Sequence, residues 1–358
     1  MSLTSILRHI IFYRYDYESI DIDNSAIEFV VIHIPDQIGD AMAIYPIIRS
    51  LELHQIKHLL IVSSTINKPV FEALHLGHTK LTIISMTMQD HASKDEIQEV
   101  AKNIKAQYGT PDICIEAMRK KNRKTMLFIS KLRAKTNFQV VGLTMKCYSP
   151  ICKTASRMDQ ELRAPVTMTW STLMRDAGFP AVRPMFEFPL NEEVLIEVRN
   201  ETRSLEDYIA INLEGSVQER TFSLPIAKKL ISLIKNETDI PIVIVHGPKG
   251  VDNAVKLTES FEGVYHLSLS PSLMRSAAVI KDAFLAITPD TSILHMASAY
   301  NTPAIAVYAD YKTRWPAMQD ISETIVVGKD IDHINLDEFK KTLRHIISRI
   351  NNQIFSRH

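Results

Sequence analysis

The stretch Ala283-Phe284-Leu285-Ala286-Ile287-Thr288-Pro289-Asp290-Thr291-Ser292-Ile293-Leu294-His295 holds a strand, a turn and a helix start in one short run. Its unbroken apolar opening reads as a strand covered on both faces, and Pro-Asp-Thr then opens a helix. A strand that feeds straight into a helix N-terminus presents backbone N–H groups without intrahelical partners. Those groups and the helix dipole favour a phosphate or pyrophosphate. A similar arrangement stands near the other end, where Phe29-Val30-Val31-Ile32-His33-Ile34 leads into Pro35-Asp36-Gln37-Ile38-Gly39-Asp40 and a helical stretch.

Working outward from these two points, the pattern repeats. Leu59-Leu60-Ile61-Val62-Ser63, Leu81-Thr82-Ile83-Ile84 and Asp112-Ile113-Cys114-Ile115 read as further buried strands, with helical segments at 41–54 and 94–107. Tyr208-Ile209-Ala210-Ile211-Asn212, Ile242-Val243-Ile244-Val245-His246 and Ala304-Ile305-Ala306-Val307-Tyr308 restart the series, with helices near 224–235, 251–261, 272–281 and 291–300. Continuous apolar strands alternating with helices predict an α/β protein with parallel sheets. At 358 residues the chain suits two domains better than one core.

The expected organisation is a first domain over 1–180, a hinge over 181–205 punctuated by Pro184 and Pro189, a second domain over 206–334 and a final helix over 335–358. Asn335 and Glu338 form a capping box for that helix. Leu336, Phe339, Leu343, Ile346, Ile347 and Ile350 give it an apolar stripe that needs a groove. Ligands of open parallel sheets bind outside the strand C-terminal ends. The expected site therefore lies between the domains, with a hinge that admits substrate and then excludes water.

Lys plus Arg and Asp plus Glu both number 41, so the total charge does not imply a nucleic-acid surface, and no nucleic-acid partner is expected. Cys114, Cys147 and Cys152 are odd in number and lack a Cys-x-x-Cys pair, which predicts unpaired thiols in a reducing compartment. No apolar run of about 20 residues is present to span a membrane. The segment 6–14 is too short and too charged for a signal peptide. It reads either as an end helix packed on the protein or as a basic amphipathic segment at a membrane surface. Asp21-Ile22-Asp23 and Asp330-Ile331-Asp332 suggest a metal site only superficially, since neither follows a core strand at its ligand-facing end. Neither a metal nor a cofactor is expected.

Five groups of residues could carry chemistry. Gly39 permits a tight turn, and Asp40 reads either as a helix cap or as an acid/base group facing the ligand. Asp290 can cap its helix, while Thr291 and His295, four residues apart, share a face and with Ser292 could hold phosphates. Gly215, Ser216 and Arg220 follow a strand and could approach a phosphate, with Arg220 supplying permanent charge. His246-Gly247-Pro248-Lys249-Gly250 reads as turn chemistry or as a ligand-facing loop, with Asp252 beyond it placed to bond a ribose. Arg119, Lys120, Lys121, Arg123 and Lys124 read as a solvated face or as the seat of an anionic acceptor.

Taken in order, these segments resemble glycosyltransferase family 9, the ADP-heptose lipopolysaccharide heptosyltransferases. Ile38-Gly39-Asp40 with Pro46 is similar to the family's N-terminal Gly-Asp motif. Thr288-Pro289-Asp290-Thr291-Ser292-Ile293-Leu294-His295-Met296-Ala297 is similar to its Asp-Thr-Gly-x-x-His-x-Ala motif, and Asn301-Thr302-Pro303-Ala304 continues it into a strand. The resemblance runs from about residue 28 to 316. Ser292 stands where the family has Gly, and Arg220-Thr221-Phe222-Ser223 stands where it has Lys followed by Trp-Pro.

The resemblance implies a GT-B architecture of two facing Rossmann-like domains, with the last helix returning to the first domain. It implies a cytoplasmic enzyme that moves heptose from ADP-heptose to a lipopolysaccharide-core or lipid A-linked sugar, by inversion and without metal, with at most peripheral contact with the inner membrane. Asp40 would be the base. Gly215, Ser216, Arg220, Asp252, Asp290, Thr291, Ser292 and His295 would hold the donor, and Gly39, Arg119, Lys120 and Arg123 the acceptor. The rival readings are another GT-B nucleotide-sugar transferase and a nucleotide-sugar binding protein without catalysis.

Overall fold

The computed structural model describes residues 12–310 and 313–355. Most of the 6–14 segment lies outside them. The chain divides into two compact units, with the break between Met185 and Phe186.

The first unit is built on a five-stranded sheet of β1 (Phe29–Ile34), β2 (His58–Ser64), β3 (Lys80–Met86), β4 (Ile113–Glu116) and β5 (Thr136–Phe138). The strand order is β3-β2-β1-β4-β5 and every pair is parallel, with Val30 opposite Leu59 on one side and Ile113 on the other. Parallel strands need crossovers, and helices supply them. They are α1 (Ile38–Ala43), α2 (Tyr45–Leu53), α3 (Lys94–Tyr108), α4 (Arg123–Leu132), α5 (Cys152–Gln160) and α6 (Val166–Asp176). Val30, Val31, Ile32 and Ile34 are all fully buried, as an inner strand covered on both faces requires. The three thiols are free and buried, so the reading of unpaired cysteines holds.

The second unit carries six parallel strands, β6 (Ile209–Asn212), β7 (Ile242–Val245), β8 (Val264–His266), β9 (Leu285–Pro289), β10 (Ala304–Tyr308) and β11 (Ser322–Val326), in the order β11-β10-β9-β6-β7-β8. Its helices are α7 (Glu192–Thr202), α8 (Leu224–Glu237), α9 (Val251–Ser260), α10 (Leu273–Asp282), α11 (Ser292–Tyr300) and α12 (Leu336–Phe355). In each sheet the order reverses direction once, between β1 and β4 in the first and between β6 and β9 in the second. At such a switch point neighbouring loops leave in opposite directions and open a crevice at the strand C-terminal ends.

One expectation needs correction. The stretch 181–205 is not a plain linker. It contains α7, whose amphipathic turns bury Leu195 and Val198, and Phe186 and Phe188 are buried as well. In the final helix Phe339, Leu343, Ile346 and Ile350 join the core of the second unit with Ile231, Ile305 and Ile325, where α8 and the β10–β11 edge form a groove for them. Phe339→Ala should therefore cost roughly 3–5 kcal/mol, read as a lower urea midpoint in the second unit's unfolding step. An unshifted midpoint would contradict that packing.

Candidate functional site

In the first unit the crevice lies beside the loops that follow β1 and β4. Helix α1 begins at Ile38, and Gln37 occupies the capping position without a side-chain bond. Asp40 thus sits inside the first turn, which removes its reading as the cap. Gly39 is a helical residue without positive φ, so it does not make the turn.

Asp40 as a residue is half-buried, and the pKa of its carboxyl is pushed up to about 7. Burial is the main cause and the neighbouring Asp36 charge adds to it, while Arg119 and Lys120 act in the opposite direction. A carboxyl poised near neutrality is suited to accept a proton.

Asp36, itself buried, accepts from Lys120 Nζ at 3.2 Å, and the same ammonium bonds Asp90 at 2.8 Å. Burial raises the Asp36 pKa, and Lys120 works against the rise. Arg119 stands in the left-handed region at φ 48° and donates to Asp159 at 3.0 Å. Arg123 donates to the Tyr15 hydroxyl at 3.1 Å. The three cations expected to meet an acceptor are therefore already engaged by the protein, with Arg119 and Lys120 acting on Asp40 as fixed positive charges.

Sequence reasoning missed a pair beneath this site. His33 Nδ1 lies 2.8 Å from Glu116 Oε2, at paired positions of β1 and β4, and both residues are buried. Glu116 Oε1 accepts from Met118 N at 2.9 Å, which fixes the start of the loop that leads to Arg119. A His and a Glu at the ends of otherwise apolar strands were the available signal.

In the second unit the loops after β6 and β9 meet. Asn212 ends β6, and its amide donates to the Thr288 hydroxyl at 3.0 Å and the Thr291 hydroxyl at 3.2 Å. Thr291, not Asp290, caps α11, its hydroxyl accepting from Ile293 N at 3.2 Å. A hydroxyl at this position leaves the Asp290 carboxylate free to pair with Arg220 Nη1 at 3.5 Å. Burial raises the Asp290 pKa, and Arg220 and then Thr313 oppose it.

Gly215 is required by a close approach, since a Cβ there would come within 2.6 Å of Arg220 Cβ and nearer still to its carbonyl. Ser216 is exposed beside it and Ser292 is half-buried at the first turn of α11. Helix α11 thus offers its N-terminal N–H groups between a hydroxyl and a guanidinium.

His295 departs from the expected phosphate face. It is buried, with its ring stacked on Phe186 at 4.4 Å and tilted against Trp315 at 5.3 Å. Burial drives its pKa down to about 3, so the imidazole is neutral at physiological pH and brings no charge to a phosphate. Asp252 is exposed in the first turn of α9. The Gly247–Gly250 turn beside it rests on Glu214, which accepts from Gly247 N at 2.6 Å. A Cβ on Gly250 would stand 2.6 Å from Glu214 Oε1. Gly250→Ala should displace that carboxylate and lower stability by about 1–2 kcal/mol, measurable as a reduced melting temperature.

An α/β chain with two Rossmann-like domains, a helix N-terminus beside an arginine at one switch point and a near-neutral carboxyl at the other has the makings of a GT-B glycosyltransferase. The comparisons agree. The sequence model of glycosyltransferase family 9 (heptosyltransferase) matches residues 150–342. The chain belongs to that family and is a glycosyltransferase.

An uncharacterized Escherichia coli K12 protein, YeeL, is 68% identical over 234 residues, which is 65% of this chain and 100% of YeeL. A family 9 glycosyltransferase from Veillonella parvula has a similar structure, with a TM-score of 0.71 at 16% identity over 93% of this chain and 100% of its own. Escherichia coli ADP-heptose LPS heptosyltransferase II follows with 0.67 at 13% identity over 90% and 99%. Escherichia coli heptosyltransferase WaaC with ADP gives 0.64 at 15% identity over 88% and 99%. Among the described residues, no helix is long and apolar enough to cross a membrane.

Proposed function

We propose that the protein transfers a heptose from ADP-heptose to a hydroxyl of a lipopolysaccharide inner-core sugar, in the cytoplasm, by a single inverting displacement that uses no metal. The names of two similar structures, an ADP-heptose LPS heptosyltransferase and a heptosyltransferase with ADP, support the donor and the acceptor class. The observation that carries the reading is the placement of the near-neutral Asp40 carboxyl and the Arg220–Thr291–Ser292 anion cradle at the two switch points.

In this reaction Asp40 takes the proton of the acceptor hydroxyl as its oxygen bonds to the anomeric carbon. The bond from that carbon to the ADP oxygen breaks, and the electron pair leaves with ADP. The charge that develops on the terminal phosphate is met by the first N–H groups of α11, by Ser216 and by the Arg220 guanidinium. This supply of positive charge makes a metal unnecessary. Asp290 holds Arg220 in place, and Asp252 is the proposed ribose contact. His295 acts as a neutral wall behind the cradle and supplies no charge.

The test is to incubate the full chain with ADP-heptose and truncated core saccharides, with and without EDTA, and to weigh the products. Transfer that persists in EDTA is expected. Tight ADP-heptose binding with no product from any acceptor would favour a binding protein, and transfer only from another nucleotide sugar would favour a different donor.

A further inference from the structure

The His33–Glu116 pair is sealed from solvent, its side chains 0% and 1% exposed, so it does not meet a substrate directly. Its gain for folding is small as well. A buried ion pair stabilises little more than apolar residues of the same size, and His33 Nε2 has no hydrogen-bond partner among the described residues. The His33 ring stacks on Phe128 of α4 at 3.9 Å, which fixes its plane with Nδ1 towards Glu116.

Glu116 uses its two oxygens differently. Oε2 lies 2.8 Å from His33 Nδ1, and Oε1 accepts from Met118 N at 2.9 Å. Ala117 N donates to the His33 carbonyl at 3.0 Å. The first two residues after β4 are thus tied to the pair, and Asn122 fixes the far end of the loop by capping α4. Between these anchors Arg119 stands at φ 48°, a conformation that an arginine keeps only where its surroundings hold it. Asp159 of α5 then orients its guanidinium. Lys120 differs, since Asp36 and Asp90 hold its ammonium directly.

We propose that His33 and Glu116 are positioning residues: through Met118 they set the backbone of Arg119 and so keep its guanidinium charge against Asp40. The use of this device in catalysis rests on the reading of Asp40 as the base; the positioning itself does not. Arg119 and then Lys120 lower the Asp40 pKa, against burial and the Asp36 charge, so displacing Arg119 should let it climb. Cys114 and Tyr148, the other titratable groups beside Glu116, are kept uncharged by burial and do not titrate with Asp40.

The experiment follows the Asp40 carboxyl carbon by NMR across neutral pH in the full chain, with labelled aspartate and Asp40→Asn to assign the signal. The pH profile of kcat/KM for heptosyl transfer is recorded beside it. Glu116→Ala should raise the Asp40 midpoint by about 0.5–1 pH unit, and Glu116→Gln should leave it within about 0.2 of the wild type. The glutamine amide can donate to His33 Nδ1 while its carbonyl accepts from Met118 N, so the charge goes and both bonds stay. Arg119→Gln should raise the midpoint at least as far as Glu116→Ala, and the two together no further.

A Glu116→Ala chain that melts earlier but titrates as the wild type would make the pair merely structural and overturn the proposal. So would a Glu116→Gln shift as large as that of alanine, which would trace the effect to charge. If Glu116→Ala does not fold, His33→Phe keeps the ring on Phe128 and removes Nδ1; it should raise the midpoint by a smaller amount, and no rise there is equally fatal. A raised NMR midpoint in a chain that transfers no heptose would keep the positioning role and reject the heptosyl-transfer reading. An unmoved midpoint in a chain whose transfer needs Asp40 would do the reverse.

Discussion

Replacing Asp40 by Asn is expected to cut turnover by about 100- to 10,000-fold, the usual contribution of a positioned base, while ADP affinity changes by less than about twofold. Asn keeps the shape and polarity of the side chain and removes only its capacity to take a proton. In the wild type kcat/KM should rise with pH through about 7, where burial and Asp36 have raised the carboxyl.

The same shift sets the sign of a stability effect. An unfolded Asp titrates near 3.9, so between about 4 and 7 the folded state holds a proton that the unfolded state has lost. Stability from this group therefore falls as pH rises across that window, and the penalty is complete above the folded pKa. Asp40→Asn escapes the penalty. It should melt at a higher temperature than the wild type at pH 8 and nearly with it at pH 4, the gain being on the order of a few kcal/mol. A variant that stays fully active, or that loses stability at pH 8, would remove Asp40 from the role of a desolvated base.

The fold was legible because both sheets announce themselves through continuous apolar strands. Val30 to Ile34 and Leu285 to Ile287 leave little choice but a parallel sheet covered on both faces. The stripe on α12 was equally plain, but a stripe shows only that a groove is needed, and α8 with β10 and β11 provides one in the same unit. At the site, sequence placed Asp40, Arg220 and the Asp290–Ser292 turn at strand ends. It offered Asp290 as the cap where Thr291 is the cap, because Asp and Thr are both good capping residues and only the backbone shows which one precedes the first helical turn; of the two readings left open for Asp40, the cap falls because Gln37 precedes the helix.

Other features left no local trace. The Lys120 bonds to Asp36 and Asp90 join residues far apart in the chain, so the basic cluster looked free when part of it was engaged. The burial of His295 depends on Phe186 and Trp315, which no spacing connects to it. Asn212 was more accessible to reasoning, since one amide closing an apolar strand must find partners once buried, and here they are Thr288 and Thr291.

Arg220→Ala should produce the other large loss, about 100- to 1,000-fold in kcat/KM for the donor, comparable to removing one preorganised oxyanion donor. What remains after the guanidinium is gone sets the size of the loss. Asp290 is held by Arg220 at 3.5 Å and its carboxyl is raised mainly by burial. Without Arg220 a phosphate at the α11 N-terminus would lose this guanidinium and face an Asp290 carboxylate stripped of its ion-pair partner. ADP affinity in this variant should therefore decline more steeply with rising pH than in the wild type, as Asp290 gives up its proton.

Adding Asp290→Asn should return part of the affinity, and the size of that return in a double-mutant cycle measures the repulsion. Arg220→Lys should fall between, because an ammonium keeps the charge and loses the planar fork. The side chain is 43% exposed, so the pair itself contributes at most about 1 kcal/mol to folding and the melting temperature should barely move. Wild-type kinetics in Arg220→Ala at limiting donor concentration would reduce the pair to a surface contact and dismantle the proposed cradle, since the dipole of α11 would then be handling the phosphate without a side-chain cation.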